Sequence, residues 1–460
     1  MRRPGGFSAP RNDGRRPNSL SSNPPAALAL LALLGLLLAP PAATAAPAPD
    51  DIPVAARLVL REVSNLMDKE AYDEAIETIA AFRARGGPAP SADAPDPKGY
   101  RHPMLDLALG NLYLLKADYP QALAPLRRVV AAWPDRVDAW LNLAKAGYEN
   151  GAYDEAAAGF AAAYQRSPEK DPEHLYFSAV AHLMAKSHAK AIEAFERLFA
   201  AHPQAIRSEW RENFVQALMA AEMPRRALPL VKELAARSTG GERRRWQEMC
   251  LHLYLQLEMP HEARTFVRRL VEEDPATARW WKALVHVELA AGRHAEALAA
   301  LTVYGYLEPL TDEEKKLWAD LNLQLQIPAR AAPVYAELLE RAPDRKLLEK
   351  LIAAYRQMAR YDEALAQLDR HGGGQNDPKL LMLRADLLYA ARRFGEAAAA
   401  YRLAAGRDRQ AAGQAWLMAG YAAWQVNDLE TSRRAFREAS QFRRHKKAAQ
   451  QAMRQLEALN

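Results

Sequence analysis

A small residue followed four positions later by a large apolar residue recurs along the chain about every 34 residues. From Ala122 onward, successive small residues are 33 to 36 positions apart. The four-residue offset puts both side chains on one face of a helix, so the pattern predicts a repeated helix with a buried face. The small residues are Ala75, Ala122, Ala156, Ala191, Ala227, Ala263, Ala297, Ala331, Ala364, Ala397 and Ser432. The eleven residues four positions later are all apolar: Ile79, Leu126, Phe160, Phe195, Val231, Val267, Leu301, Tyr335, Leu368, Tyr401 and Phe436.

The stretch "AYDEAAAGFAAAYQRSP" (152–168) shows what one copy predicts. Ala156, Phe160 and Ala163 share one helix face, and Pro168 ends the helix. Six of the eleven copies have Pro twelve residues after the small residue. We therefore expect each copy to be the second helix of a two-helix unit, in which the small residue lets the helices approach closely. Because one hairpin cannot bury its apolar face alone, neighbouring units must stack.

With this period and pattern the sequence resembles the tetratricopeptide repeat family over nearly all of residues 56–440. The resemblance implies an all-α fold, a right-handed superhelical α-solenoid of about eleven helical hairpins with a C-terminal capping helix. Some copies depart from the family pattern: Pro224, Pro260 and Pro328 stand where the family prefers an aromatic residue, and Ser432 replaces Ala. The copy at 139–168 carries the signature best, at Trp140, Leu143, Ala144, Tyr148, Tyr153, Ala156, Phe160, Ala163 and Pro168.

The spacing also predicts how the chain is organised. The step from the first small residue to the second is 47, and the excess is the Pro- and Gly-rich stretch at 85–103, expected to be an exposed loop or a flexible joint. An N-terminal hairpin at 46–84 precedes this loop. The repeat array follows at 104–440, and a capping helix is expected at 441–460.

Residues 1–45 are predicted to be a cleavable secretory signal peptide. An Arg-bearing start leads into the 14-residue apolar run "AALALLALLGLLLA" (26–39), which is followed by small residues up to Ala45. A buried helix or a retained anchor is the alternative. The segment holds five Arg and one Asp, so its removal leaves a formal net charge of about +2. We expect a bacterial exported protein of the periplasm, associated with the outer membrane or envelope, with no membrane span after cleavage and no nucleic acid as partner.

Motifs for catalysis are missing from the sequence. There is no G-x-S-x-G, no Walker sequence and no H-E-x-x-H, and the Gly-rich "HGGGQNDP" (371–378) lacks the Lys or the strand that a phosphate-binding loop needs. The single cysteine, Cys250, lies in an apolar stretch typical of a buried position. We expect no enzyme activity, no catalytic residues, no cofactor and no metal.

The family resemblance implies where a partner binds. In tetratricopeptide arrays the first helix of each unit lines the inner groove, so we take the residues fifteen, eleven and eight positions before each small residue as groove positions. Their side chains predict a groove that is apolar near both ends and charged in the middle. The N-terminal set is Leu107, Asn111, Leu114, Leu141, Lys145, Tyr148, Tyr176, Val180 and Leu183. The C-terminal set is Met382, Asp386, Tyr389, Leu417, Tyr421 and Trp424. The middle set is Glu212, Gln216, Glu248, His252, Lys282, His286, Lys316, Asp320, Glu349 and Arg356.

Candidate partner contacts are the large side chains of the two outer sets, because Tyr and Trp give a large contact area at a small entropic cost. Burial of these side chains between stacked units is the alternative. The candidates are Tyr148, Tyr176, Leu183, Tyr389, Tyr421 and Trp424.

The expected function is a non-catalytic scaffold in the periplasm or envelope that binds segments of protein partners in its concave groove. A periplasmic chaperone, or an accessory for export of a polypeptide or polysaccharide, is the alternative. The identity of the partner and the pathway do not follow from the sequence.

Overall fold

The structure, a computed structural model, describes residues 52–87, 96–372 and 377–457. The expected signal peptide, part of the 85–103 loop and half of the Gly-rich stretch lie outside these residues. Within the described ranges the chain forms 23 α-helices and no strand, so the expected all-α solenoid fold is confirmed.

The helices alternate as first and second helices of eleven hairpins, and one further helix follows. In chain order they are α1 Val54–Met67, α2 Tyr72–Ala84, α3 Pro103–Leu115, α4 Tyr119–Ala132, α5 Val137–Glu149, α6 Tyr153–Arg166, α7 Pro172–Met184, α8 His188–Ala201, α9 Ser208–Ala220, α10 Pro224–Arg237, α11 Gly240–Gln256, α12 Pro260–Glu273, α13 Ala278–Ala290, α14 His294–Leu307, α15 Asp312–Gln324, α16 Pro328–Arg341, α17 Arg345–Gln357, α18 Tyr361–His371, α19 Pro378–Ala390, α20 Phe394–Ala405, α21 Ala412–Gln425, α22 Leu429–Ser440 and α23 Lys446–Glu457.

The repeated small residues lie at the contact between the two helices of each hairpin. All eleven, from Ala75 to Ser432, are 0% exposed. The apolar residues four positions later are at most 5% exposed, and Leu368 has the largest value. The buried face that the spacing predicts is therefore confirmed in every copy, including the last, where the Ser432 hydroxyl donates a hydrogen bond to the Gly420 carbonyl at 2.9 Å.

Every first helix ends in the same left-handed turn. The residue five positions before each small residue has φ between 54° and 78°. In the second hairpin, the Asp118 amide donates to the Tyr113 carbonyl at 2.8 Å and the Ala117 amide donates to the Leu114 carbonyl at 3.1 Å, which is the Schellman arrangement. Only two of the eleven turn residues are glycines, Gly151 and Gly292. The others are Glu70, Ala117, Lys186, Glu222, Glu258, Gln326, Ala359, Arg392 and Asn427.

The chain divides into two compact units, Met1–Leu253 and Tyr254–Asn460, and the division falls inside α11. In the first unit the N-terminal hairpin shares a core with α3, because Leu105 and Leu112 pack with Ile79 and Phe82. The ring of Tyr100, in the predicted loop, lies 4.8 Å from the ring of Phe82. The hairpin is therefore packed onto the array.

The second unit has its main core along α15 to α22. At its end α23 covers the last hairpin: Ala449, Ala452 and Leu456 pack against Phe436 and are at most 1% exposed. The basic residues before α23, Arg443 and Arg444, are exposed.

Candidate functional site

The groove positions lie on the first helices, and neighbouring first helices contact one another there. Asn142 of α5 donates a hydrogen bond from Nδ2 to Oδ1 of Asn111 on α3 at 2.7 Å. Lys350 of α17 donates from Nζ to both carboxylate oxygens of Asp320 on α15 at 2.6 Å. Side chains of adjacent repeats thus combine into one surface.

Two of the aromatic candidates in the first compact unit are buried. Tyr148 is 7% exposed and Tyr176 is 2% exposed. The Tyr176 ring stacks on Trp210 with centroids 5.0 Å apart, and its hydroxyl oxygen accepts a hydrogen bond from Asn213 Nδ2 at 2.7 Å. Burial raises the pKa of both phenols, that of Tyr148 to about 12. These two side chains pack the unit and offer almost no surface to a partner, whereas Leu183 is half-buried.

Lys145 is the charged groove position beside them. It is half-buried on α5, and among the described residues it has no ion pair within 4.0 Å. Burial lowers the pKa of its ammonium group, and the nearby Glu149 carboxylate opposes that shift. Lys145 therefore presents a positive charge on this face, with Glu149 nearby.

In the second compact unit the three aromatic candidates are half-buried. Tyr389 lies edge-on to Phe394, with ring centroids 5.2 Å apart. Tyr421 and Trp424 both pack against Phe436, with centroids 5.1 and 6.3 Å away. One side of each ring supports the core, and part of each ring is left at the surface.

The groove positions of the middle set are exposed or half-buried, without exception. Several are paired: Lys282 Nζ lies 2.8 Å from Glu314 Oε1, and Arg345 Nε lies 3.0 Å from Glu349 Oε1. Burial raises the pKa of Glu212, and the Arg245 guanidinium opposes that shift.

A cavity of about 340 Å³ opens between α17 and α19, next to the segment before α21. Five groove positions line it, namely Glu349, Ala353, Arg356, Met382 and Asp386. Leu380 and Leu383 add apolar surface, and Lys379 and Asp408 add charge. The cavity therefore offers an apolar surface with charges of both signs at its edge.

Asp386 is fixed at this cavity by a tyrosine of the core. The Tyr401 hydroxyl donates a hydrogen bond to Asp386 Oδ1 at 2.6 Å. Burial and this hydrogen bond both raise the pKa of Tyr401, so its hydroxyl stays protonated and donating. The same pair occurs in α15 and α16, where the Tyr335 hydroxyl donates to Asp320 Oδ1 at 2.6 Å. Both pairs could have been found from the sequence. In each of them an Asp lies fifteen residues before the large residue of its repeat, and that large residue is Tyr.

The described residues contain no group of three or more His, Cys, Asp or Glu side chains arranged to hold a metal ion. Over the same residues, no helix has both the length and the apolar character needed to cross a membrane.

Paired helices, buried small residues and stacked hairpins define a helical repeat protein of the solenoid class. The tetratricopeptide repeat family profile matches residues 107–172 and 252–304, so the chain contains tetratricopeptide repeats in these two stretches. The family is generally non-catalytic, and its fold is that of a protein-interaction scaffold. No curated protein matches the sequence.

Solved structures with helical repeats are similar to this chain. A tetratricopeptide repeat protein from Parabacteroides merdae ATCC 43184 is 14% identical, over 65% of this chain and 98% of that chain, with a TM-score of 0.29. Yeast Tom70 is 14% identical, over 88% of this chain and 95% of that chain, with a TM-score of 0.27.

Proposed function

We propose that this protein is a non-catalytic scaffold that binds an extended segment of a protein partner along its groove positions. The observation that carries the proposal is the cavity between α17 and α19, where five groove positions surround an apolar surface. A protein segment has both the apolar side chains and the charges that such a surface accepts.

The second part of the proposal is the location, which rests on the sequence of residues 1–45. Its Arg-bearing start and 14-residue apolar run are typical of a secretory signal, so we place the mature protein in the periplasm or envelope of a bacterial cell. Mass spectrometry of the protein purified from its native cells is expected to find a start near Ala46. Recovery of intact residues 1–45 from a cytoplasmic pool would contradict this location.

Chemical cross-linking followed by affinity capture from envelope extracts tests the scaffold. One or two partners in stoichiometric amounts are expected, and cross-links are expected at groove positions. Ala353→Trp is expected to reduce capture, since Ala353 lines the cavity and a bulky side chain there fills it without changing its charge. Ala399→Trp, the same change at an exposed position on the second helix α20, serves as the control and is expected to have no effect.

The same preparation distinguishes a scaffold from a chaperone or export accessory. A chaperone would suppress the aggregation of unrelated unfolded proteins, and it would yield many weakly bound clients instead of one or two partners. Equal loss of capture in the Ala353→Trp and Ala399→Trp variants would show that the groove positions are not the binding surface.

A further inference from the structure

In two places a side chain of one first helix contacts a side chain of the following first helix. The first side chain lies eleven positions before the small residue of its own repeat, and the second lies fourteen positions before the small residue of the next repeat. Asn111 and Asn142 stand in this relation, and their side-chain amides are 2.7 Å apart. Asp320 and Lys350 stand in it too, with the ammonium group 2.6 Å from both carboxylate oxygens. The first pair lies in one compact unit and the second pair in the other, so the same contact between neighbouring repeats occurs in both units.

Asp386 occupies the same position in its repeat as Asp320 does. Each Asp lies eleven residues before its small residue, and each accepts a 2.6 Å hydrogen bond from the tyrosine fifteen residues later. The two carboxylates are therefore held by their own hairpins in the same way.

The two sites differ in what the next repeat supplies. At the Asp320 site the next repeat supplies Lys350. At the Asp386 site the equivalent position, fourteen residues before Ser432, is Met418. A thioether neither neutralises a carboxylate nor donates a hydrogen bond to it. Among the described residues Asp386 accepts only the Tyr401 hydroxyl and has no cation within 4.0 Å, although it is half-buried.

The charged residues around Asp386 leave its carboxylate open to a cation from outside the chain. The cavity that it lines also carries Asp408, Glu349, which is paired with Arg345, and the cations Arg356 and Lys379. Neither cation forms an ion pair with Asp386. A half-buried carboxylate with free lone pairs gains most from a charge-assisted hydrogen bond, which an ammonium or guanidinium group provides.

We propose that Asp386 binds the side chain of a lysine or arginine in the partner segment, in the role that Lys350 has at Asp320. The residues next to that basic side chain are apolar and lie on Met382 and Leu383, which line the same cavity. This inference rests on the proposed function and names the chemistry of the partner: a basic residue between apolar ones.

Amidated heptapeptides with an N-terminal fluorescein test the inference by fluorescence anisotropy with the full chain. Each peptide has Ser and Gly flanks around a central leucine pair, and the residue between the leucines is Lys, Arg, Gln or Glu. We expect the Lys and Arg peptides to bind about tenfold more tightly than the Gln peptide. The Asp386→Asn variant is expected to lose this preference.

Two further variants make the test specific. Met418→Lys places an ammonium group where Lys350 stands in the other repeat, so it is expected to neutralise Asp386 internally and abolish the preference while the thermal midpoint is kept. Asp320→Asn removes a carboxylate that Lys350 already neutralises, so the preference is expected to remain.

Equal binding of the Lys and Gln peptides, or no binding of any of the four, overturns the inference, and so does an unchanged preference in Asp386→Asn. These outcomes are separate from failure of the scaffold. If a protein partner is captured equally by the native chain and by Asp386→Asn, the scaffold stands and the role of Asp386 falls.

Discussion

The backbone of Gly147 in α5 lies against the backbone of Ala156 in α6: a Cβ built on Gly147 would stand 3.3 Å from the Ala156 amide nitrogen. The two helices of this hairpin are therefore as close as their side chains allow. Ala156 is 0% exposed, so no space is left beside it for a longer side chain.

Replacing Ala156 with leucine is expected to force α5 and α6 apart. The cost of such overpacking is about 1–3 kcal/mol in the free energy of unfolding, measured by chemical denaturation. Hydrogen exchange is expected to show the largest loss of protection in this hairpin and its neighbours, because repeat arrays unfold in segments. Ala158→Leu is the control, since Ala158 lies two residues away on the same helix and is exposed.

The left-handed turns predict how glycine substitutions change the free energy of unfolding. Ala117 and Ala359 have φ of 55° and 56°, a conformation in which a Cβ is strained and glycine is not. Ala117→Gly and Ala359→Gly are therefore each expected to raise the free energy of unfolding by about 0.5–1 kcal/mol. Gly151→Ala, at φ 78°, is expected to lower it by about 1 kcal/mol.

A glycine in a regular helix separates this effect from a general effect of glycine. Ala158→Gly is expected to destabilise by about 1 kcal/mol, because Ala158 is an exposed residue inside α6. If Ala117→Gly also destabilised the protein, relief of strain at the turn would not be the dominant effect.

The spacing of small and large residues predicted the hairpins and their buried faces because those contacts are local. Both residues of each pair lie on one helix, and the turn that joins two helices has the same geometry in every copy. The Pro residues that depart from the family pattern, Pro224, Pro260 and Pro328, are each the first residue of a helix, a position where proline is well tolerated.

Exposure at the groove positions could not be predicted in the same way. Tyr176 has the spacing of a groove residue, but Trp210 and Asn213 from the next first helix cover it. Asp386 likewise gains no counterion from the next repeat, because Met418, 32 positions away, stands where the other site has Lys350. Such outcomes depend on contacts between repeats, and a pattern within one repeat does not contain them.

From the burial of His174 we predict how the free energy of unfolding changes with pH. It is 5% exposed on α7, and burial lowers its pKa from the ordinary value of 6.5, an effect that Asp171 and Glu173 oppose. Above pH 6.5 the imidazole is neutral in both the folded and the unfolded chain. As the pH falls below that value, the unfolded chain takes up a proton first, so the free energy of unfolding decreases until the folded pKa is passed.

The measurement is the slope of the free energy of unfolding against pH, between about pH 7 and pH 5. His174→Gln is expected to flatten this slope even if it lowers stability overall. An unchanged slope in His174→Gln would assign the pH dependence to other groups, among which His102 and His182 also have a pKa lowered by burial.

The carboxylate of Glu288, on α13, is buried, with the residue 0% exposed. Arg264 Nε lies 3.0 Å from its Oε1 atom and 3.1 Å from its Oε2 atom, and Arg268 Nε lies 3.2 Å from Oε1. Arg293 Nε is 4.0 Å from Oε2. The buried charge is tolerated because these guanidinium groups surround it, and the burial of each charge depends on the presence of the others.

Glu288→Gln keeps the shape of the side chain and removes its charge, so Arg264, which is 19% exposed at the side chain, loses its counterion. The expected loss is about 3 kcal/mol in the free energy of unfolding, measured by chemical denaturation. Replacing the pair together, Glu288→Leu with Arg264→Met, is expected to cost less than Glu288→Gln alone, because no partly buried charge is then left without a partner.

Glu272→Gln, an exposed change on α12, is the control and is expected to stay within about 0.5 kcal/mol of the native chain. If Glu288→Gln behaved like this control, the three arginines would be held by packing of their aliphatic chains, and the carboxylate would not be what keeps them in place.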